Sequence, residues 1–166
     1  MDFKELLNKQ IQSAKPYWKI PKVLLAIDPG ETTGYSIFKD GELFRHGVII
    51  WKIPSLGYEI FVNHLKEDFP DVVVCEDYRL YANKVNAQLG SQIPTIKIIG
   101  AIEMLCSTNK IPMIKQMAST AKQFCTREKL EEWGYWKKIN PHARDSIRHA
   151  TYFLLFCKNN YLGVGE

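Results

Sequence analysis

The pattern of apolar and polar residues changes near residue 23. Before that point, five apolar residues share one stripe of a helix: Phe3, Leu6, Leu7, Ile11 and Ala14. Pro16 ends this stripe. We therefore expect residues 1–22 to form an N-terminal helical extension and a connector. We expect this helix to pack on the outside of the domain. An arm that binds a partner is the less favoured alternative.

Strand patterns begin at Val23. The run VLLAID is continuously apolar up to its last residue, as in a strand covered on both faces, and DVVVCEDY repeats this pattern after Pro70. Two more strands flank Asp40-Gly41, a dipeptide that is typical of tight hairpin turns. A short fifth strand is predicted in IPMIKQ.

Helical patterns fill most of the remaining chain. The predicted helices cover residues 55–69, 93–109, 117–125 and 141–159, and REKLEEWGYWKKINP predicts a brief helix plus a loop. This order indicates an α/β fold. Its sheet is five-stranded and mixed, with three antiparallel strands and then parallel crossovers, and helices cover both faces. We assign residues 23–160 to this domain and residues 161–166 to a short tail.

Composition narrows the class of protein. A hydrophobic share of 46% with 12% aromatic residues excludes a disordered chain. No apolar run approaches the roughly 20 residues that span a bilayer, and the charged N-terminus lacks a signal core. Four cysteines without a CxxC pair predict reduced thiols in a cytoplasmic protein. Residues 110–160 hold 10 basic and 4 acidic side chains, which favours a polyanionic partner.

Acidic residues end two of the buried strands. Asp28 follows VLLAI and Glu76 follows VVVC. Each has an ordinary explanation, because Asp-Pro-Gly is a common turn and Glu76 can face solvent at a strand end. In the last helix, His142 and Asp145 are three residues apart and share one face, although such residues are also common in a solvated first turn.

Together these four side chains predict a metal site. Carboxylate oxygens and one imidazole suit Mg²⁺ or Mn²⁺. Two such ions can activate a water and stabilise the leaving oxygen of a phosphodiester. With a basic segment to contact phosphates, the pattern indicates a nuclease that needs no small-molecule cofactor.

Three segments carry a family resemblance. LLAIDPGETTGYSIF, VVVCEDYRLYANK and HARDSIRHATYFL resemble, in order and spacing, the acidic motifs of RuvC-type Holliday junction resolvases, over about residues 22–158. The resemblance implies an RNase H-like fold and a metal-dependent endonuclease that nicks branched DNA as a homodimer. The dimer would form through exposed apolar residues of the second helix or the N-terminal helix. The compact chain also resembles bacteriophage relatives of this family, which implies a substrate range wider than four-way junctions.

The resemblance also assigns roles to individual residues. Asp28, Glu76 and Asp145 match the metal-binding carboxylates, and His142 matches a position that is acidic or histidine in the family. Lys122, in IPMIKQMASTAKQF, matches a lysine near the scissile phosphate. Tyr78 and Tyr81 fall where the family places an aromatic side chain against unpaired bases. Further candidates for DNA contacts are Arg79, Lys84, Lys115, Arg127, Lys129, Lys137 and Lys138.

Three alternatives stay open at this point. DPGETTG also resembles the phosphate turn of actin-like ATPases, which need two such domains. A module that binds branched DNA without cutting predicts an incomplete acidic set. Another RNase H-fold nuclease, acting on RNA–DNA hybrids, in RNA processing or in DNA packaging, would carry the same site, because the fold does not determine the substrate.

Overall fold

The structure is a computed structural model that describes residues 1–13, 19–52, 54–78, 94–136 and 138–156. Its strands lie at the predicted places. They are β1 (Val23–Asp28), β2 (Thr32–Lys39), β3 (Glu42–Ile50), β4 (Val72–Asp77) and β5 (Met113–Met117). The helices are α1 (Phe3–Ser13), α2 (Pro54–Asp68), α3 (Pro94–Thr108), α4 (Ala118–Phe124), α5 (Arg127–Glu132) and α6 (Pro141–Phe156).

The five strands form one mixed sheet in the order β3-β2-β1-β4-β5. β1, β2 and β3 pair antiparallel, whereas β4 is parallel to β1 and β5 is parallel to β4. The β2–β3 turn has positive φ at both central residues, 50° at Asp40 and 82° at Gly41, as a two-residue hairpin turn requires. The predicted sheet is therefore confirmed.

Alternate residues of the central strand enter two separate cores. Leu24 and Ala26 pack with the apolar residues of α1 and α6 on one face of the sheet. Leu25 and Ile27 pack with those of α2 and α3 on the other face. Because strand side chains alternate between faces, the continuous apolar run of β1 is explained by helices on both sides.

The N-terminal helix α1 contributes to the core on the α6 face. Phe3 and Leu7 are buried, and the Phe3 ring centroid lies 5.3 Å from those of both Trp133 and Tyr135. The first two turns of the apolar stripe of α1 are thus covered by the rest of the chain, whereas Ile11 is 37% exposed. The division of the chain at residue 22 stays a prediction.

Two further observations bear on the composition. Among the described residues, no helix has both the length and the hydropathy needed to cross a membrane. The three described cysteines, Cys75, Cys106 and Cys125, are buried and unpaired. Cys157 lies outside the described residues.

Candidate active site

A cleft of about 270 Å³ lies at the carboxyl ends of β1 and β4. The two strands are parallel, with Ile27 paired to Cys75, so the residues that follow emerge at the same edge of the sheet. The cleft brings together all five residues predicted to be catalytic, and Tyr78, Pro29 and Thr95 complete its lining. The five are Asp28, Glu76, Lys122, His142 and Asp145.

The first turn of α6 lies directly on β2 at Gly34. Gly34 pairs with Asp28 in the sheet, and a Cβ at this position would lie 2.0 Å from the carbonyl carbon and oxygen of His142. The helix can therefore approach only because residue 34 has no side chain. The Asn140 side chain accepts a hydrogen bond of 2.9 Å from the backbone N–H of His142 and caps the helix.

This close packing places His142 against Asp28. The two side chains are 2.7 Å apart between Nδ1 and Oδ2, and Asp28 is only 6% exposed. Burial, followed by the negative charge of Glu76, raises the pKa of Asp28 to about 6, against the opposing hydrogen bond and charge of His142. Asp28 therefore lies in a cleft whose negative charge is incompletely compensated.

On its buried side, Glu76 contacts His149, a fully buried residue of α6. Nε2 of His149 donates a hydrogen bond of 2.9 Å to Glu76, and its Nδ1 lies 3.0 Å from the side-chain oxygen of Gln116. Burial tends to raise the pKa of Glu76, but the hydrogen bond and charge of His149, together with Lys122, outweigh it and hold this pKa below its usual value. Glu76 is thus kept ionised and oriented.

Lys122 bridges two carboxylates from α4. Its Nζ lies 2.9 Å from Asp145 Oδ2 and 3.4 Å from Glu76 Oε2. Burial opposes its charge, but the hydrogen bond to Asp145 and the charge of Glu76 prevail and raise the pKa of Lys122. Arg148 donates to the other oxygen of Asp145. These cations neutralise most of the negative charge on this side of the cleft.

The donor set suits a hard divalent cation. Asp28, Glu76 and Asp145 offer carboxylate oxygens and His142 offers an imidazole, which are ligands that Mg²⁺ and Mn²⁺ accept. In the structure, the described residues contain no group of three His, Cys, Asp or Glu side chains that lie close enough together to hold an ion. A cation between Glu76 and Asp145 would have to displace the Lys122 ammonium.

Sequence reasoning did not assign His149, Gln116 or Arg148. A signal for His149 was present, because it follows Asp145 by four residues and so lies on the same face of the helix. Gln116 could be found only from the pairing of β4 with β5, in which it stands opposite Glu76.

The predicted DNA contacts are spread more widely. Tyr78 lines the cleft. Lys115 instead forms an ion pair of 2.5 Å with Glu103 of α3 and does not line the cleft. Arg127 and Lys129 belong to α5, and Lys138 is exposed beyond it. Four candidates lie outside the described residues: Arg79, Tyr81, Lys84 and Lys137.

The His149 contacts predict a measurable effect on stability. His149→Ala removes one buried hydrogen bond each from Glu76 and Gln116, together with the packing of the imidazole ring, and should lower the free energy of unfolding by about 2 kcal/mol or more. His149→Gln can keep one of the two hydrogen bonds and should therefore lower the free energy of unfolding by a smaller amount. Guanidinium chloride unfolding of the metal-free protein measures both. Equal stability of His149→Ala and the wild type would contradict the assigned contacts.

No protein-family model and no curated protein sequence matches the chain significantly. Solved structures do match. Thermus thermophilus RuvC, solved in complex with a Holliday junction substrate, matches with a TM-score of 0.62 at 17% identity, over 82% of this chain and 95% of RuvC. The fowlpox virus Holliday junction resolvase matches with a TM-score of 0.56 at 16% identity, over 80% and 97%.

A third match is the yeast mitochondrial Holliday junction resolvase Ydc2, with a TM-score of 0.58 at 14% identity, over 92% of this chain and 84% of Ydc2. At such low identities the likeness establishes the fold. The chain has the RNase H-like fold of the RuvC-type Holliday junction resolvases, as its three acidic motifs predict.

Proposed function

We propose that the chain is a metal-dependent, structure-selective endonuclease that cuts branched DNA, with the four-way Holliday junction as its main substrate. One observation carries the proposal. Three carboxylates, a histidine and a lysine, drawn from four distant segments of the chain, converge in one cleft of a resolvase fold. A module that only binds DNA has no need of this complete acidic set.

Asp28, Glu76, His142 and Asp145 would hold Mg²⁺ or Mn²⁺, with two ions in each site. When bound, these ions supply an activated water and stabilise the charge on the leaving oxygen. The chain's own contribution is to exclude water around Asp28, which is 6% exposed, and to fix Glu76 through His149. Both features prepare the site before the substrate arrives.

Lys122 contributes a positive charge on a flexible side chain. Its side chain is 40% exposed, so its ammonium can turn from Glu76 and Asp145 to an oxygen of the scissile phosphate. There it stabilises the negative charge that develops during attack. Water adds to phosphorus, the bond to the 3′ oxygen breaks, and the products carry a 5′-phosphate and a 3′-hydroxyl.

Tyr78 extends the cleft toward the DNA bases. It follows β4 by one residue and lines the cleft beside the catalytic side chains. An aromatic ring there can stack on a base that is unpaired at the junction centre, which requires only a π-face and no particular sequence.

We also propose a homodimer, because a two-fold symmetric pair of sites fits the symmetry of a four-way junction and its paired nicks. Phe3 and Leu7 of α1 are already buried in the domain, and Ile11 is the exposed apolar residue of its described part, at 37%. Exposed apolar side chains remain on α3, where Ile96 is 48% and Met104 is 60% exposed. This difference favours α3 over α1 as the interface.

A substrate panel tests the proposed function. Purified protein is incubated with a four-way junction, a splayed duplex, a linear duplex and an RNA–DNA hybrid, each with Mg²⁺, with Mn²⁺ or with EDTA. We expect cleavage of the four-way junction to be the fastest, to require a divalent cation and to produce 5′-phosphate ends.

Each part of the proposal can fail separately in this panel. Cleavage that persists in EDTA would overturn the metal site. Equal cutting of linear duplex and junction would overturn the structure selectivity while leaving the nuclease in place. Preference for the RNA–DNA hybrid would assign the site to another class of RNase H-fold nuclease.

A further inference from the structure

Three arginines surround one tryptophan beside the catalytic cleft. The guanidinium carbons lie 4.5 Å (Arg144), 5.2 Å (Arg127) and 5.6 Å (Arg148) from the ring centroid of Trp136. We call these four residues the Trp136 cluster. Placing three like charges around one ring is unfavourable unless anions compensate them, so the partner of each arginine is informative.

Two of the three charges are compensated within the protein. Arg127 Nε donates a hydrogen bond of 2.8 Å to Glu131. Arg148 donates to Asp145 and, through Nε, to the backbone carbonyl of Cys125 at 3.0 Å. The Trp136 cluster therefore retains about one net positive charge, which belongs to Arg144.

Arg144 has no carboxylate partner among the residues that the structure describes. Its Nε is buried and makes no hydrogen bond there. Arg144 also lies in the first turn of α6, where a cation opposes the helix dipole and lowers helix stability. Stacking on Trp136 accounts for the position of the guanidinium, but neither this contact nor helix formation supplies a counter-anion for its charge, whereas an external anion would.

The position of the cluster identifies the anion. Arg144 directly precedes Asp145, and Arg148 links the cluster to Asp145 inside the cleft. A nucleic acid strand whose scissile phosphate lies in the cleft would carry its next phosphates past this side. Stacking on Trp136 holds the Arg144 guanidinium in place, and its planar fork matches two oxygens of a phosphate.

We propose that the Trp136 cluster is a binding site for a backbone phosphate of the DNA strand, outside the scissile position, with Arg144 as the contacting residue and Trp136 as its support. This inference rests on the proposed function and adds a phosphate contact to it. Such a contact fixes the register of the strand and reads no sequence.

The test measures the affinity for a four-way junction in EDTA, by fluorescence anisotropy over a series of salt concentrations. Arg144→Gln should weaken binding by about tenfold and should reduce the slope of log K against log salt by about 0.9, because one phosphate contact is lost. Arg144→Lys keeps the charge and should keep the slope while losing part of the affinity. Lys66→Gln removes the same charge from an exposed site on α2, across the sheet, and should leave the slope unchanged.

The outcomes separate the two levels of the proposal. Circular dichroism melting shows that each variant is folded. If the wild type binds the junction and Arg144→Gln keeps its slope, the inference is overturned alone. An equal loss in Arg144→Gln and Lys66→Gln also overturns it, because it assigns the effect to net charge. If the wild type neither binds nor cuts any branched DNA, the proposed function is overturned together with the inference.

Discussion

Asp28→Asn should reduce cleavage of a four-way junction by at least about a thousandfold and, at the same time, raise the melting temperature of the metal-free protein. The loss of activity follows from the central place of Asp28 in the cleft. The gain in stability follows from its burial, since an ionised carboxylate at 6% exposure is costly and a neutral amide is not. Asparagine can still form the hydrogen bond with His142.

The sign of the pH dependence follows from the raised pKa. Because the pKa of Asp28 is about 6 in the folded protein and near 4 when unfolded, folding favours the protonated carboxyl. Its favourable contribution is complete below about pH 4 and is lost as the pH rises through about 6. The advantage of Asp28→Asn should therefore be small at pH 4 and approach about 3 kcal/mol, or roughly 6 to 12 °C, above pH 6.

Asp68→Asn is the matched control. Asp68 is also a buried aspartate, but Arg45 donates to it and Lys39 lies 3.6 Å away, on the α2 face and away from the cleft. Its replacement should lower the melting temperature and leave cleavage unchanged at a temperature where the variant is folded. Thermal melts in EDTA at several pH values, with a junction cleavage assay, measure both variants. A destabilised Asp28→Asn protein, or one that still cuts, would contradict the assignment.

Gly34→Ala should lower the free energy of unfolding by about 3 kcal/mol and reduce junction cleavage by about a hundredfold. The added Cβ would lie 2.0 Å from the backbone of His142 and 2.5 Å from the backbone nitrogen of Ala143, and backbone atoms cannot rotate away as a side chain does. The start of α6 must therefore move away from β2, and His142 and Asp145 move with it, away from Asp28.

Gly100→Ala provides the comparison for stability. Within one chain a Cβ at Gly100 meets nothing within 4 Å, and the residue lies inside α3, so alanine should raise the free energy of unfolding of the monomer by about 0.5 to 1 kcal/mol. Chemical denaturation measures both glycine variants, and cleavage by Gly34→Ala is measured well below its melting temperature. If Gly34→Ala is as stable and active as the wild type, α6 does not depend on this contact.

Features encoded by local sequence could be predicted. The continuous apolar run before Asp28 predicts a strand covered on both faces, and the Asp40-Gly41 turn predicts the neighbouring hairpin through its backbone preference. The convergence of Asp28 and Glu76 followed from parallel pairing, which places both carboxyl ends at one edge. The cleft was thus predictable because each of its two strands has a recognisable apolar run of a few residues.

Features that depend on contacts between distant segments could not be predicted. The hydrogen bond from His149 to Glu76 depends on the rotation of α6 over the sheet. The contact between Gly34 and His142 depends on the distance between a helix and a strand, which no local pattern encodes. The Trp136 cluster joins the loop after α5 to two helices, and the loop has no periodicity to guide a prediction.

The position of α6 has a consequence for the order of events during synthesis. α6 is the last described helix of the chain, yet it packs on β1 and β2, which are the first two strands to be made. Until α6 emerges from the ribosome, Leu24 and Ala26 lack the larger part of their cover, and Asp28 lacks His142 and Asp145. A nascent chain therefore has neither a closed core on this face nor a complete cleft, and the proposed nuclease site can form only when the fold is finished.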